Sequence, residues 1–352
     1  MKAAVLHAVG DLRYDEVLDP KPANDEVLLK VKAAGICGSD IPRVMKKGTY
    51  SFPLIPGHEF AGEIVEIHDD ASLHKIGDRV AVFPLIPCGK CAYCRIGEYA
   101  QCDDYDYLGS RRDGGFAEYA AVPADNLIQV PDNVDFDCAA MTEPASVALH
   151  ALRRTGVDAG DNIAILGAGT IGIILAQWAR ILGAGRIFIT DIDDSKLDVA
   201  KNFGFTDCIN SREDPVRHII KNTDGLGVDI CVEAAGTPIT FEQSLRVVRK
   251  LGKVILMGNV SGDVMIPERT ASAILRSQLT IYGTWNSSIA SVPKNEWKTA
   301  LQFMSSAKLD VKSLITHRFP LSKAVEAFDM MYKRMEFFNK VMFLDEMIVH
   351  NK

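Results

Sequence analysis

Two sets of metal-type side chains lie in the first half of the chain, and they differ in kind. Cys88, Cys91, Cys94 and Cys102 follow the spacing C-x2-C-x2-C-x7-C. A short loop with that spacing folds back to present four thiolates tetrahedrally. A closed set of four suits a structural zinc, with no position left for substrate. The second set is mixed. Cys37, His58 and Glu59 supply sulfur, nitrogen and carboxylate, each expected in a loop after a strand, and Glu143 beside Pro144 adds another carboxylate. Three mixed ligands with a place for water or substrate describe a catalytic zinc. Taken singly, these residues read as a buried thiol, a satisfied histidine and unrelated carboxylates. Beside a nucleotide site in the same chain they point to metal-assisted redox chemistry.

That nucleotide site is carried by Gly167, Ala168, Gly169, Thr170, Ile171 and Gly172, a G-x-G-x-x-G between an expected strand and an expected helix. The first glycine allows a tight turn, the second lets a pyrophosphate approach the backbone, and the third lets helix and strand pack closely. The helix N-terminus then meets the phosphates with free N–H groups. Asp191 closes the next expected strand. Its carboxylate accepts both ribose hydroxyls and repels a 2′-phosphate, which selects NAD over NADP.

The elements that must position these groups change character near residue 150. Before it, short strands such as Val27 to Ala33, Gly62 to Ile67 and Arg79 to Phe83 are broken by Gly and Pro. From Ala151 onward, strands alternate with helix-length amphipathic stretches, the signature of parallel βαβ units. Asn162 to Leu166, Arg186 to Thr190, Val228 to Glu233, Lys253 to Met257 and Leu279 to Tyr282 read as strands. Thr170 to Leu182 and Ser195 to Phe203 read as helices, as do Lys294 to Ser305 and Leu321 to Met331 further on, before a last strand, Lys340 to Leu344. The expected division is residues 1–150 with both metal sets, 151–287 for the nucleotide, and 288–352 returning to the first part.

Bulk properties bound the partners. The 352 residues are 47% hydrophobic and 24% charged, enough for about two globular domains. Thirty-nine basic against 46 acidic residues give a net charge of −7, which counts against nucleic acid or an acidic membrane as partner. The segment from Met1 to His7 has no signal-peptide character and no long apolar run follows, so a soluble cytoplasmic protein is expected. Reduced cytosolic cysteines serve as metal ligands rather than disulfides. Cys138, Cys208 and Cys231 read as inert core thiols.

The segments Cys37 to Asp40, Gly57 to Glu59, the four-cysteine loop, Asp113 to Tyr119, Glu143 to Pro144, the Gly167 turn and Lys340 to Val341 resemble the zinc-dependent medium-chain dehydrogenases, over essentially the whole chain. The resemblance implies an α/β protein with a GroES-like β-rich catalytic domain and a Rossmann doubly wound parallel-sheet domain, with the active site in the cleft between them. It implies two zinc ions per subunit, NAD, and a homodimer or homotetramer often joined through the last Rossmann strand, near Leu279 to Gly283. Cys37, His58 and a glutamate would hold the catalytic zinc, and Ser39 would pass the substrate proton toward solvent. Whether Glu59 or Glu143 binds directly stays open. Pro42 stands where many relatives carry a relay histidine.

Cys37 to Arg43, Tyr105 to Arg112 and Leu275 to Asn286 are similar to the branch that oxidises sugar alcohol phosphates. A phosphate needs cations, and arginine grips it in a bidentate fork, which singles out Arg43, Arg111 and Arg112. The alternative is a sorbitol- or xylitol-type dehydrogenase for free polyols, with those arginines as loop charges. Phe52 and Trp285 read equally as an apolar wall of the substrate cleft or as ordinary core. Lys340 reads equally as a solvated charge and is left out of the site.

Overall fold

The strand Glu26–Ile36 is the spine of a seven-stranded sheet in the computed structural model, which describes residues 1–67 and 73–345. Alternating burial along its first half marks one face for the core. Along one edge it pairs antiparallel with Glu59–Ile67. Along the other it pairs first with Tyr119–Pro123 and then with Lys340–Leu344. The strand Lys340–Leu344 pairs in turn with Ile315–Pro320, while Arg79–Val82 and Leu127–Gln129 extend the far side. Phe116, Phe328 and Phe343 lock the core, with Phe116 edge-on to the other two at ring separations of 6.0 and 5.0 Å.

These elements belong to one compact unit, Met1–Ser146 with Ser287–Lys352. The second unit is Val147–Asn286. The helix Thr142–Thr155 carries the chain from one to the other. The second unit is built on six parallel strands. In space they run Asp207–Asn210, Ile187–Asp191, Ile163–Leu166, Val228–Glu233, Val248–Leu256, Thr280–Gly283. Counted along the chain that order is 3-2-1-4-5-6, the doubly wound Rossmann order, which reverses between Ile163–Leu166 and Val228–Glu233. All four residues of Ile163–Leu166 are buried, as a strand covered on both faces requires.

Among the described residues no helix is long and apolar enough to cross a membrane. Several short elements had no sequence signal strong enough to place them. Lys2–Ala8 pairs with Asp11–Glu16, and Asp207–Asn210 and Ile315–Pro320 are strands.

Candidate active site and metal centres

The four-cysteine set closes as its spacing predicts. The Sγ atoms of Cys88, Cys91, Cys94 and Cys102 lie within 4.8 Å of one another, and all four thiols are free. Cys91 and Cys102 are 4.0 Å apart at sulfur, too far for a disulfide. Thiolates about 2.3 Å from a central zinc stand roughly 3.8 Å apart, so the set fits that ion. Local backbone prepares it. Cys91 caps the helix Ala92–Arg95 and its sulfur accepts from Cys94 N–H at 3.4 Å. Backbone N–H groups of Asp103 and Cys94 draw the Cys91 thiol down to about 6. Burial pushes Cys94 up to about 12.

The mixed set is assembled from three places in the first unit. Cys37 follows the spine strand Glu26–Ile36. For His58 and Glu59 the sequence predicts a loop after a strand. His58 does lie in a loop, but one that leads into a strand, and Glu59 opens that strand, Glu59–Ile67. Gly57 turns the chain into that strand at φ +99°, where any side chain would also collide with the Phe116 ring. Gly35, opposite Glu59 in the ladder, leaves room for its carboxylate. The ligand atoms of Cys37, His58 and Glu59 lie within 4.8 Å of one another. Glu143 sits in the first turn of Thr142–Thr155, outside that cluster but electrostatically coupled to it. Its carboxyl is pushed up to about 7, first by burial and then by Glu59, against the pull of His58 and Lys340.

A further layer surrounds these groups, and most of it escaped sequence reasoning. Asp40 is fully buried. Its Oδ2 accepts from Cys37 N–H at 3.0 Å and its Oδ1 from Arg43 Nη1 at 2.7 Å. Oδ1 also lies 3.2 Å from His58 Nδ1, off the hydrogen-bonding direction, so Nδ1 has no well-formed partner. Burial opposes charge on both members, yet their mutual attraction wins: Asp40 is held below its ordinary value and His58 well above. Ser39 Oγ donates to Cys37 Sγ at 3.3 Å. The Tyr107 ring meets the His58 ring edge-on at 6.0 Å. Its hydroxyl is pushed up by burial and then by the charges of Glu143 and Cys37. Lys340, read from the sequence as equally a solvated charge, is 3% exposed and ion-pairs with Glu59. The apolar run behind it carries Lys340 into the sheet beside Ile36. A lone lysine heading a fully buried strand was the available signal.

The three arginines singled out for phosphate all have internal partners. Arg43 is paired to Asp40, and Arg112 Nη2 to Glu26 Oε1 at 2.7 Å. Arg111 donates to the Tyr105 carbonyl at 2.7 Å and packs over the Tyr105 and Tyr50 rings at 4.1 and 4.8 Å. Phe52 and Trp285 are exposed rather than core.

In the second unit the Gly167 turn has the shape a dinucleotide needs. Gly167 takes φ +117°, and a Cβ on Gly172 would strike the Gly167 carbonyl. Gly169 faces open space, with nothing within 4 Å of where its Cβ would be, so a pyrophosphate can reach the backbone there. Thr170 and Ile171 open the helix Thr170–Ile181. Asp191 Oδ2 accepts from Ala168 N–H at 2.9 Å, fixing the carboxylate against the turn. Glu233, which sequence reasoning did not single out, is fully buried at the end of Val228–Glu233. Its Oε1 accepts from Ala235 N–H, Gly236 N–H and Thr240 Oγ1 at 3.0, 2.9 and 2.7 Å, tying down the loop against which Gly167 packs.

Residues 23–132 match the family model of the alcohol dehydrogenase GroES-like domain, and residues 170–306 that of zinc-binding dehydrogenases. The chain is 37% identical over 320 residues to galactitol 1-phosphate 5-dehydrogenase of Escherichia coli strain K12, covering 90% of this chain and 92% of that one. It is 36% identical over 335 residues to sorbitol dehydrogenase of Bacillus subtilis strain 168, covering 94% and 93%. The crystal structure of galactitol-1-phosphate dehydrogenase from Escherichia coli superposes with a TM-score of 0.92 at 35% identity, covering 98% of this chain and all of that one. With its GroES-like and Rossmann units and its two clusters of metal-type ligands, this chain belongs to the zinc-binding alcohol dehydrogenase family and is an oxidoreductase of that family.

Proposed function

We propose that the protein oxidises a secondary alcohol of a sugar alcohol phosphate to the ketone with NAD, galactitol 1-phosphate giving tagatose 6-phosphate. The observation that carries the chemistry is the pairing, in one chain, of the Cys37–His58–Glu59 cluster with a Gly167 turn open at Gly169. The substrate half leans on the likeness to the Escherichia coli enzyme.

Zinc held at the mixed site would supply a Lewis acid that makes a substrate hydroxyl acidic, and NAD held at the Gly167 turn would supply the hydride acceptor. Cys37, His58 and Glu59 would hold the metal, with Glu143 the second carboxylate within electrostatic reach. Asp40 holds the Cys37 N–H and lies 3.2 Å from His58 Nδ1, so its charge sits directly behind both ligands. Ser39 Oγ, 3.3 Å from Cys37 Sγ, takes the hydroxyl proton toward solvent. With Pro42 at the usual relay position, no histidine takes the proton there, and the path beyond Ser39 would run through the ribose hydroxyls of bound NAD and water. Gly167, Gly169, Thr170, Ile171 and Gly172 would cradle the NAD pyrophosphate, and Asp191 would hold the adenosine ribose. Cys88, Cys91, Cys94 and Cys102 hold the structural zinc. The subunits associate as a homodimer or homotetramer along Thr280–Gly283, an edge strand whose Ile281 is exposed. The eight free cysteines suit the reducing cytoplasm.

Two observations favour a second reading, a dehydrogenase of free polyols. Arg43 and Arg112 are already paired to carboxylates, and the sorbitol dehydrogenase is almost as similar. Initial rates of NADH formation with galactitol 1-phosphate, galactitol and sorbitol at equal concentration decide between them. A preference of about a hundredfold for the ester equals roughly 2.7 kcal/mol of transition-state binding and demands a phosphate site. Arg111→Ala should then raise KM for the ester. Equal rates on the free polyols reject the phosphate reading.

A further inference from the structure

We propose that Lys340 is the positioning residue for the metal ligand Glu59. Its ammonium anchors the carboxylate beside Cys37 and His58 and ties together the two segments that carry the site. The inference rests on the reading of Cys37, His58 and Glu59 as ligands.

The geometry is specific. Lys340 opens the strand Lys340–Leu344, whose next residue, Val341, pairs with Ile36 in the sheet. Its Nζ donates to the Ile36 carbonyl at 3.1 Å and to Glu59 Oε2. Ile36 is the residue before Cys37, so one ammonium holds the peptide leading into the sulfur ligand and the carboxylate ligand together. Both partners are almost inaccessible, Lys340 at 3% and Glu59 at 1%. A charge buried this deeply is costly unless it is paired and hydrogen-bonded. Neither member is tolerable alone, so the carboxylate cannot swing away without leaving a bare ammonium behind it.

The same pairing recurs on the other side of the site, where Arg43 holds Asp40. Each of these two buried carboxylates thus has its own cation, and neither cation is a metal ligand. Partners of this kind orient ligands, and removing one typically costs about 10–100-fold in metal affinity.

A double-mutant cycle on the full-length protein tests the proposal with Lys340→Met, Glu59→Gln and the double variant. Two quantities are read: the dissociation constant of the more weakly held zinc equivalent, by competition with a chromogenic chelator, and the visible spectrum after cobalt substitution. Lys340→Met should weaken that equivalent about 10–100-fold and shift the cobalt bands. In the Glu59→Gln background the same change should add less than about twofold. Lys340→Gln, which keeps a donor for both acceptors but no charge, runs alongside should the methionine variant prove insoluble, and is judged by the same loss of affinity. A pair that served only to stabilise the fold would lower the melting temperature and leave zinc affinity and cobalt spectrum unchanged. That outcome, with Glu59→Gln weakening zinc, overturns the role of Lys340. If Glu59→Gln itself leaves zinc binding intact, the ligand reading fails first and the role of Lys340 falls with it.

Discussion

Asp40 is the residue through which the mixed site is most exposed to a single substitution. It receives Cys37 N–H and Arg43, and it lies 3.2 Å from His58. Asp40→Asn keeps the shape but removes the charge, leaving the Arg43 guanidinium without its counter-ion. We expect about a 10–100-fold loss of kcat/KM, with zinc content falling toward one ion per chain by elemental analysis. An unchanged rate and full metal content would refute that role. Of the three thiols outside the metal clusters, Cys138 and Cys231 are buried and should resist reagents, whereas Cys208, read from the sequence as core, is only partly buried. Cys138 is pushed up to about 12, chiefly by burial and then by Asp137, and Cys231 is likewise raised by burial. A raised thiol pKa means less thiolate at any working pH, roughly one part in 10⁴ for Cys138 at pH 8. Mass spectrometry after iodoacetamide at pH 8 should find both unmodified in the native protein and modified after denaturation. The ligand-type residues were legible in the sequence because their chemistry follows from type and short spacing. The Lys340–Glu59 contact was not, since it joins positions 281 apart and no local pattern encodes that meeting.

At the scale of elements, the Gly167 turn separates folding from binding. Gly172→Ala places a methyl group against the Gly167 carbonyl, inside the packing of helix Thr170–Ile181 on its strand. It should lower the melting temperature and abolish NAD binding together. Gly169→Ala meets nothing within 4 Å, so the melt should hold while the Kd for NAD rises at least about tenfold. Calorimetric melts and NADH fluorescence titration check both, and a Gly169→Ala protein that binds normally would move the pyrophosphate elsewhere. This turn could be read in advance because glycine spacing, strand and helix are contiguous. His58 and Glu59 were harder to place. Whether a histidine precedes or follows a strand depends on where the ladder begins, and that is set by the distant partner Glu26–Ile36. The strand Asp207–Asn210 is only partly buried, so it has little hydrophobic period to reveal it.

At the scale of the whole molecule, the chain leaves its first unit, builds a second, and returns. Val147–Asn286 contains all six strands of its sheet, whereas Met1–Ser146 lacks Lys340–Leu344 from the interior of the other. A fragment from Thr142 to Asn286 should therefore melt cooperatively and bind NADH. A fragment from Met1 to Ser146 should be insoluble, because the edge from Ala33 to Ile36 is left unpaired. Circular dichroism melts and sedimentation of the two fragments decide this, and a soluble, cooperative N-terminal fragment would contradict it. The returning strand also sets an order of events during synthesis. Cys37, His58 and Glu59 leave the ribosome early, but the ammonium that clamps Glu59 emerges only after the entire nucleotide-binding unit has been translated. The mixed site thus reaches its final shape after elongation is nearly over. A nascent chain stalled before Lys340 carries the ligands without the clamp, and on the proposed role of Lys340 it should hold that metal about 10–100-fold more weakly than the finished chain.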